Sequence, residues 1–375
     1  MPALQGDGTV KCADAPPPRR REGAVSVQEL EGWDEIIDAR SPSEYAEDRL
    51  PGAINLPVLN DEERARVGSL HKQASAFEAK KLGAALVSRN IAHHLETHLA
   101  AKPKGYRPLI YCWRGGNRSG SLATVLRAIG WQAAQLEGGY KAFRRRVIEE
   151  LGALPERFEF RVICGRTGVG KSRFLRALDA CGAQVLDLEE MAAHMGSVLG
   201  AYVDRPQPNQ KFFETQVWQR LHSFNPNRPV FVESESRKIG NLQTPEALLE
   251  RMRSATCLNL EADIPVRVAL LKEEYAHFLA APETMGKQLD CLVELQGRER
   301  IEAWKNQAVE GRWDALVEDL LVRHYDPAYL RSLGRNYTRA PDSPCLWLKD
   351  HRPAAFLDLA QDFLSSSACS PSDNC

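Results

Sequence analysis

The stretch from Phe158 to Leu178 leaves this chain few folds to choose from. Phe158-Glu-Phe-Arg-Val-Ile-Cys164 alternates as a strand, Gly165-Arg-Thr-Gly-Val-Gly-Lys171-Ser172 follows, and Phe174-Leu-Arg-Ala-Leu178 continues as a helix. A strand that turns through a glycine-rich loop into a helix is the setting in which this loop pattern binds phosphate. The glycines let main-chain N–H groups converge on an anion, Lys171 adds a point charge, and Ser172 can hold Mg²⁺. Gly165, Thr167, Gly168, Gly170, Lys171 and Ser172 are the candidate phosphate-binding residues.

A second loop of the same general design lies upstream. Pro108 to Tyr111 reads as a short apolar strand and Ser121 to Ile129 as an amphipathic helix stopped by Gly130. Between them run Cys112-Trp-Arg-Gly-Gly-Asn-Arg-Ser119. A loop at a helix N-terminus aims backbone N–H groups at one spot, which favours a thiolate and can hold an oxyanion. Arg114 and Arg118 add fixed positive charge. Cys112 is the best nucleophile candidate in the chain, and Arg114, Gly115, Gly116, Asn117, Arg118 and Ser119 form its candidate anion loop. Arg118 stands six positions after Cys112, the Cys-x5-Arg spacing of Cys-dependent phosphatases, so the loop is sized for a tetrahedral phosphate.

The chain has 375 residues, enough for two or three domains, and a formal net charge of -1. No global field attracts a polyanion, so any nucleic acid must be held by local patches. The nine Cys form no CxxC pair. That argues against a zinc site or a disulfide framework and for a reducing cytoplasm. No apolar run approaches the ~18 residues of a membrane span, and no secretory signal is visible.

The order of elements predicts α/β architecture with mainly parallel sheets. Residues 1–23, with Pro16-Pro-Pro-Arg-Arg-Arg21, read as a mobile tail. Residues 24–150 form a first domain. Glu35 to Ala39 and Ala53 to Leu56 are its early strands, with a helix opened by Ser41, Pro42 and Glu44 between them. Asp38 and Arg40 either line a site or, the favoured reading, form an ion pair that fixes the loop. Ser75 to about Leu99 is a long helix with Ser75 and Glu78 as capping box and Phe77, Leu82, Leu86, Ile91, Leu95 and Leu99 inward. His93, His94 and His98 lie there; a solvated face is favoured over a metal site, because no carboxylate or Cys stands at matching spacing. Residues 151–157 read as a linker, 158–364 as a P-loop domain with a helical C-terminal part, and 365–375 as a polar tail. Gln184 to Asp187 and Pro229 to Glu233 are strands ending in carboxylates. Asp187 and Glu233 either hold Mg²⁺ through water over the phosphates or serve as a helix cap and a surface ion pair. The segment from Glu233 to Gly240 reads as a ligand-facing loop. Thr244-Pro245 caps the next helix. Arg267 and Lys272 on a later helix either clamp phosphates or face solvent. From Phe278 onward the pattern is mostly helical, with Arg298, Arg300, Lys305, Arg312, Arg323 and Arg335 interleaved by Trp304, Trp313 and Tyr325, a weak RNA-binding signal.

Asp38-Ala-Arg-Ser-Pro-Ser-Glu-Tyr-Ala46, Pro51-Gly-Ala-Ile-Asn-Leu-Pro57, the Cys112 loop and Glu137-Gly-Gly-Tyr140 resemble the rhodanese, or sulfurtransferase, domain. Fused to a P-loop domain, the whole is similar to the tRNA 2-selenouridine synthase family from about residue 25 to 360. Gln207-Pro-Asn-Gln-Lys211, Glu233-Ser-Glu-Ser-Arg237 and Tyr325-Asp-Pro327 support that resemblance. It has one departure: Met195 stands where the family usually carries an arginine. The resemblance implies a transferase whose substrate is tRNA with 2-thiouridine at the wobble position. Selenium from selenophosphate replaces the sulfur after S-geranylation from geranyl diphosphate. No tightly bound cofactor or structural metal is implied, and a selenophosphate-supplying enzyme is an implied partner. Two rival readings of the residues are a Cys-dependent phosphatase and an NTP-dependent sulfur carrier.

Overall fold

The computed structural model describes residues 23–368 apart from 74, 198, 199, 203 and 204. Of the two expected tails, residues 1–22 and 369–375, with the Arg triplet, Cys369 and Cys375, lie outside the described residues. Contacts divide the chain into two units. One comprises the residues up to Pro42 together with Gly52–Phe143; the other comprises Ser43–Pro51 together with the chain from Arg144 onward.

The first unit is built on a sheet of β1 (Ala24–Val25), β2 (Glu35–Asp38), β3 (Ile54–Asn55), β4 (Pro108–Tyr111) and β5 (Ala134–Leu136), in the order β1-β5-β4-β2-β3. Every neighbouring pair is parallel. The central β4 is buried at all four positions, as its continuous apolar run requires. Asp38 and Arg40 pair at 2.6 Å with both side chains fully buried, as expected. Helix α1 (Pro42–Glu47) begins at the proline, and from Ser43 it is counted with the other unit. Helix α2 (Asp61–Gln73) was not expected. Its capping box is complete: the Glu63 N–H donates to Asn60 Oδ1 at 2.8 Å, and the Asn60 N–H to Glu63 Oε2 at 3.0 Å. Helix α3 (Ala76–Glu96) has Ser75 as its cap, accepting from Phe77 and Glu78. Phe77 itself is 66% exposed, so the expected inward stripe starts only with the second turn. Ile91 of α3 and Leu122 and Leu126 of α4 (Asn117–Ile129) pack with Ile37 and Ile110 of the strands. Helix α4 starts four residues earlier than its amphipathic pattern suggested, inside the candidate anion loop, and ends as expected at Gly130 with φ +103°. Helix α5 (Gly139–Leu151) follows.

The second unit has its own parallel sheet: β6 (Phe160–Cys164), β7 (Gln184–Leu186), β8 (Val230–Glu233), then β11 (Thr256–Ala262) and β12 (Cys345–Leu348), ordered β12-β11-β6-β8-β7. A small antiparallel hairpin, β9 (Lys238–Ile239) and β10 (Leu242–Gln243), stands apart from it. Residues 151–157 hold the end of α5 and a 3₁₀ turn, Leu154–Arg157, with Leu154 and Pro155 buried. Helix α6 (Lys171–Ala180) packs Phe174, Leu175 and Leu178 against β6, β8 and β11 and against Phe356 of the C-terminal helix Pro353–Ala368. Between β7 and β11 lie α7 (Leu188–Met191), α8 (Gln210–His222) and α9 (Glu246–Ser254). Helix α10 (Ile264–Glu274) leads into a helical region. It comprises α11 (Ala276–Ala280), α12 (Pro282–Leu289), α13 (Val293–Gln296), α14 (Arg298–Val309), α15 (Trp313–Leu320) and α16 (Asp326–Asn336), packed around Trp304, Leu289 and Leu316. The mostly helical expectation for this third of the chain holds, but it hid β12, whose register runs from Asn259↔Cys345 to Ala262↔Leu348. Among the described residues no helix is long and apolar enough to cross a membrane.

Candidate functional site

Cys112 follows the last residue of β4, at the C-terminal edge of the first sheet, where ligand loops of parallel sheets gather. It is buried, and the Ser119 hydroxyl donates to its Sγ at 3.1 Å. The loop is sewn down along one side. The Tyr140 and Lys141 N–H groups donate to the carbonyls of Cys112 and Trp113 at 2.8 and 3.0 Å. Gln135 Nε2 reaches Gly115 O, Gly116 O and Ser119 Oγ at 2.8, 3.0 and 2.8 Å. Close approach demands glycine here: a Cβ on Gly139, at φ +57°, would lie 2.2 Å from Cys112 O. Gly116 caps α4 without a side-chain oxygen, so none competes at the cap for the N–H groups of the first turn. Arg114 is exposed and Arg118 half-buried. The arrangement places the Cys112 sulfur in the loop that leads into the N-terminus of α4, whose first-turn N–H groups are of the kind that suit an oxyanion.

In the second unit the P-loop, residues 165–172, joins central β6 to α6. Three contacts from later helices brace it. The Gly165 N–H donates to Tyr329 Oη at 2.6 Å. Arg267, 1% exposed, donates to the Thr167 carbonyl at 3.0 and 2.7 Å, and to both oxygens of Asp326 at 3.0 and 2.6 Å. Phe356 lies against Gly170, where a Cβ would come within 2.6 Å of the ring. Lys171 Nζ donates to Gly165 O at 3.2 Å, so the lysine sits over its own loop. A cleft of about 1030 Å³ opens from Gly168, Lys171 and Ser172.

Carboxylates line one wall of that cleft. Ser172 Oγ donates to Glu189 at 2.5 Å, and the Glu189 N–H donates to Glu233 Oε1 at 2.6 Å. Glu233 is fully buried and, among the described residues, its Oε2 has no hydrogen-bond partner. Burial, reinforced by the neighbouring carboxylates, holds Glu233 and Glu235 well above the usual carboxylate range. Asp187 is pushed up to about 6 by burial. It lines the cleft while its Oδ1 caps α7 through the Glu190 N–H at 2.8 Å, so the capping reading is realised. The surface ion pair considered for Glu233 is not, since the side chain has no exposure. Ser234, Glu235 and Ser236 also line the cleft, as a ligand-facing loop should.

Other sequence expectations resolve differently. Arg267 neither clamps a phosphate nor faces solvent; it is the strut beneath Thr167. Lys272 pairs with Asp314 at 2.6 Å. Thr244 is buried and donates to Ser236 O at 3.1 Å, and Pro245 caps α9 without a side-chain bond. His93 and His98 are exposed, as a solvated face should be, with His98 2.9 Å from Glu35; His94 alone departs from that expectation, being buried with its Nε2 3.0 Å from Pro57 O. Part of the basic and aromatic series in the last third is internal to the fold or paired. Trp304 is fully buried, and Lys305, Arg312 and Arg323 each pair with a carboxylate. Met195 lines the cleft beside Lys171, Arg173 and Arg176, which supply positive charge in the absence of an arginine there. Gln207 turns out to be a stitch: it donates to Ala192 O and Ile239 O, both at 3.0 Å. Sequence reasoning missed Glu189, Tyr329 and the role of Arg267. The capping position of Asp187 signalled a helix whose next residues face the loop; Tyr329 and Arg267 reach it from 164 and 100 residues away and left no local trace.

A cysteine held in a loop at a parallel-sheet edge and a braced P-loop define a rhodanese domain joined to a P-loop domain. Known proteins agree. Residues 24–146 match the rhodanese-like domain, and residues 158–290 match the AAA domain of tRNA 2-selenouridine synthase. The chain is similar to the tRNA 2-selenouridine synthase of Marinobacter nauticus, with 34% identity covering 78% of this chain and 87% of that protein. The synthase of Bdellovibrio bacteriovorus is 31% identical, covering 80% and 89% of the two chains. That of Nitrosomonas europaea is 36% identical, covering 64% and 63%. The chain belongs to the tRNA 2-selenouridine synthase family.

Proposed function

We propose that this protein is a transferase that modifies the wobble uridine of tRNA, replacing the sulfur of 2-thiouridine with selenium from selenophosphate after S-geranylation. Family membership supports the tRNA substrate. The observation that carries the chemistry is the presence of two separate anion-binding loops, one with a nucleophile and one without, matching two phosphate-bearing donors. Cys112 handles selenium, and Arg114 to Ser119 hold the phosphate end of selenophosphate. The P-loop holds geranyl diphosphate. In the first step the thiocarbonyl sulfur attacks the geranyl carbon, the carbon–oxygen bond breaks, diphosphate leaves, and the base loses its N3 proton. Alkylation turns the sulfur into a leaving group. In the second step the selenium of selenophosphate adds to C2, the C2–S bond breaks and geranyl thiol departs with a proton from water, and the same water takes the phosphoryl group as the P–Se bond breaks, releasing inorganic phosphate. Lys171 neutralises the leaving diphosphate, a role in which losing one charge costs about 10²–10³ in rate.

The hydroxyl and carboxylate oxygens of Ser172, Glu189 and Glu233 are hard donors that suit Mg²⁺, which binds through few protein ligands plus phosphate oxygens and water. Among the described residues no group of three or more His, Cys, Asp or Glu is arranged to hold a metal ion alone. Bound there, Mg²⁺ would neutralise phosphate charge. The same carboxylates favour a second reading of this site, as one for a nucleoside triphosphate.

The test is reconstitution with purified protein, thiolated tRNA, geranyl diphosphate and selenophosphate, read by nucleoside mass spectrometry. Cys112→Ser should accumulate the geranylated nucleoside and form no selenouridine. Lys171→Ala should lose geranylation, and the wild type should work without ATP. Normal geranylation by Lys171→Ala, or none by Cys112→Ser, sinks the division between loops.

A further inference from the structure

The P-loop cleft continues into a smaller cavity walled by carbon. Thr167, Leu271, Tyr275 and Tyr325 line both spaces. Beyond them the walls are Phe278, Leu279, Met285, Trp313 and Val317 among others, enclosing about 50 Å³. At roughly 10–15 Å³ per water centre, that is room for a few waters or about one five-carbon hydrocarbon unit.

The polar atoms around this annex are turned away from it. The Tyr275 hydroxyl lies 3.0 Å from Ser197 Oγ, and the Tyr325 hydroxyl is close enough to the same serine to feel its hydroxyl. Lys272 Nζ is tied to Asp314 at 2.6 Å. Apart from Thr167 at its mouth, the surface that remains is dominated by ring faces and alkyl groups. A nucleobase placed here would bury its polar edge without partners, which costs far more than a misplaced methylene.

The annex also begins at the phosphate cradle. Thr167 belongs to the P-loop, and its carbonyl is fixed by Arg267 at 2.7 Å. Gly168 packs directly on Leu271, where a Cβ would come within 2.7 Å of the side chain. Charge on one side, from Lys171, Arg176 and the loop N–H groups, and hydrocarbon on the other complement one kind of molecule: an anionic head with an apolar tail.

We propose that this annex is the hydrocarbon subsite of the P-loop site, taking the distal end of a prenyl tail whose diphosphate lies on the loop. The proposal rests on the reading of the cleft as a prenyl-diphosphate site and goes beyond it by naming what selects the tail. A ten-carbon tail puts its last five-carbon unit in the annex and the first in the cleft. Met285 and Trp313 limit the length. Each methylene gained or lost in such a pocket shifts selection by roughly 10–200-fold.

The experiment is calorimetric titration of the full chain, without tRNA, with inorganic diphosphate and with dimethylallyl, geranyl and farnesyl diphosphate. Wild type should bind geranyl diphosphate at least about tenfold more tightly than inorganic diphosphate. Val317→Trp, which fills the annex from a half-buried position, should erase that preference while its affinity for inorganic diphosphate stays within about twofold. Leu279→Ala should shift the preference toward the fifteen-carbon farnesyl chain. If Val317→Trp is folded by circular dichroism and keeps the geranyl preference, the annex is not the subsite, although the cleft remains a prenyl site. If wild type binds geranyl diphosphate no better than inorganic diphosphate, or ATP better than either, the prenyl reading of the cleft falls and the annex with it. Should Val317→Trp fail to fold, the chain-length shift of Leu279→Ala decides, and its absence overturns the proposal.

Discussion

Arg267→Met removes the strut beneath the P-loop and should uncouple stability from phosphate binding in a measurable way. The guanidinium is 1% exposed and makes two bonds to the Thr167 carbonyl and two to Asp326. Methionine fills most of the stem's volume, so the loss is polar rather than a cavity. Deleting one partner of a buried pair costs about 3–5 kcal/mol, because the other charge stays buried and unpaired. Asp326 keeps 14% exposure and has Arg166 at 3.8 Å, which offsets part of that cost. We therefore expect the lower end, about 3 kcal/mol, from urea unfolding followed by tryptophan fluorescence. Arg267→Met with Asp326→Asn should recover part of it, since the orphaned charge is gone. Diphosphate affinity should not recover, because the Thr167 carbonyl still lacks its donors. Arg267→Lys should rescue poorly, as one ammonium cannot replace a planar fork bonded on two sides. A loss under about 1 kcal/mol, or full recovery of diphosphate binding in the double variant, refutes the argument that Arg267 holds the loop in shape.

Three further outcomes follow from the geometry. Gly139→Ala should abolish selenouridine formation and lower stability by roughly 1 kcal/mol or more, since the added carbon would meet Cys112 O at 2.2 Å and φ is +57°; wild-type activity would contradict the tight seam. Asp187, pushed up to about 6 by burial, binds its proton more tightly folded than unfolded, so its contribution is fully present below its unfolded pKa and is lost as pH rises through about 6. Asp187→Asn, which can still cap α7, should match wild type near pH 4 and exceed it in melting temperature above pH 6; equal melting at both pH values counts against the burial argument. Binding of thiolated tRNA should weaken steeply with salt in filter-binding assays, because a chain of net charge -1 must rely on local phosphate contacts; a flat salt profile would exclude them.

Features written in neighbouring residues were legible. The two strand–loop–helix units came directly from the alternation and glycine spacing around Cys112 and Lys171, and both parallel sheets follow from strands alternating with helices. The Asp38–Arg40 pair, the Ser75 cap and the Gly130 stop are likewise local. Helix α2 was overlooked because its apolar stripe is weak, although Asn60 and Glu63 mark its start; none of its residues is buried. Strand β12 was hidden because a four-residue edge strand between helices carries little periodicity. Trp304, spaced among arginines, looked like a base-stacking residue, but its Nε1 bonds Asp319 at 2.7 Å in the centre of the helical region. Charge spacing cannot tell a solvated arginine from one paired across a turn. Arg267 is the clearest case: a cation on an amphipathic helix reads as surface until the fold brings Thr167 and Asp326 to it.

The lock between Gly170 and Phe356 has a bearing on how this protein can change over generations. A ring from the last helix occupies the space that any side chain at position 170 would need, so the two positions are inherited as one character separated by most of the second unit. Tyr329 and Asp326 add two more such ties, each to a residue of the loop or its strut. A recombination event that exchanged the glycine-rich segment for that of another P-loop protein, while keeping this C-terminal helix, would bring together halves that had never been selected against each other. The phosphate loop therefore travels with the last fifty residues, from Asp326 onward, and drift in either is bounded by the other.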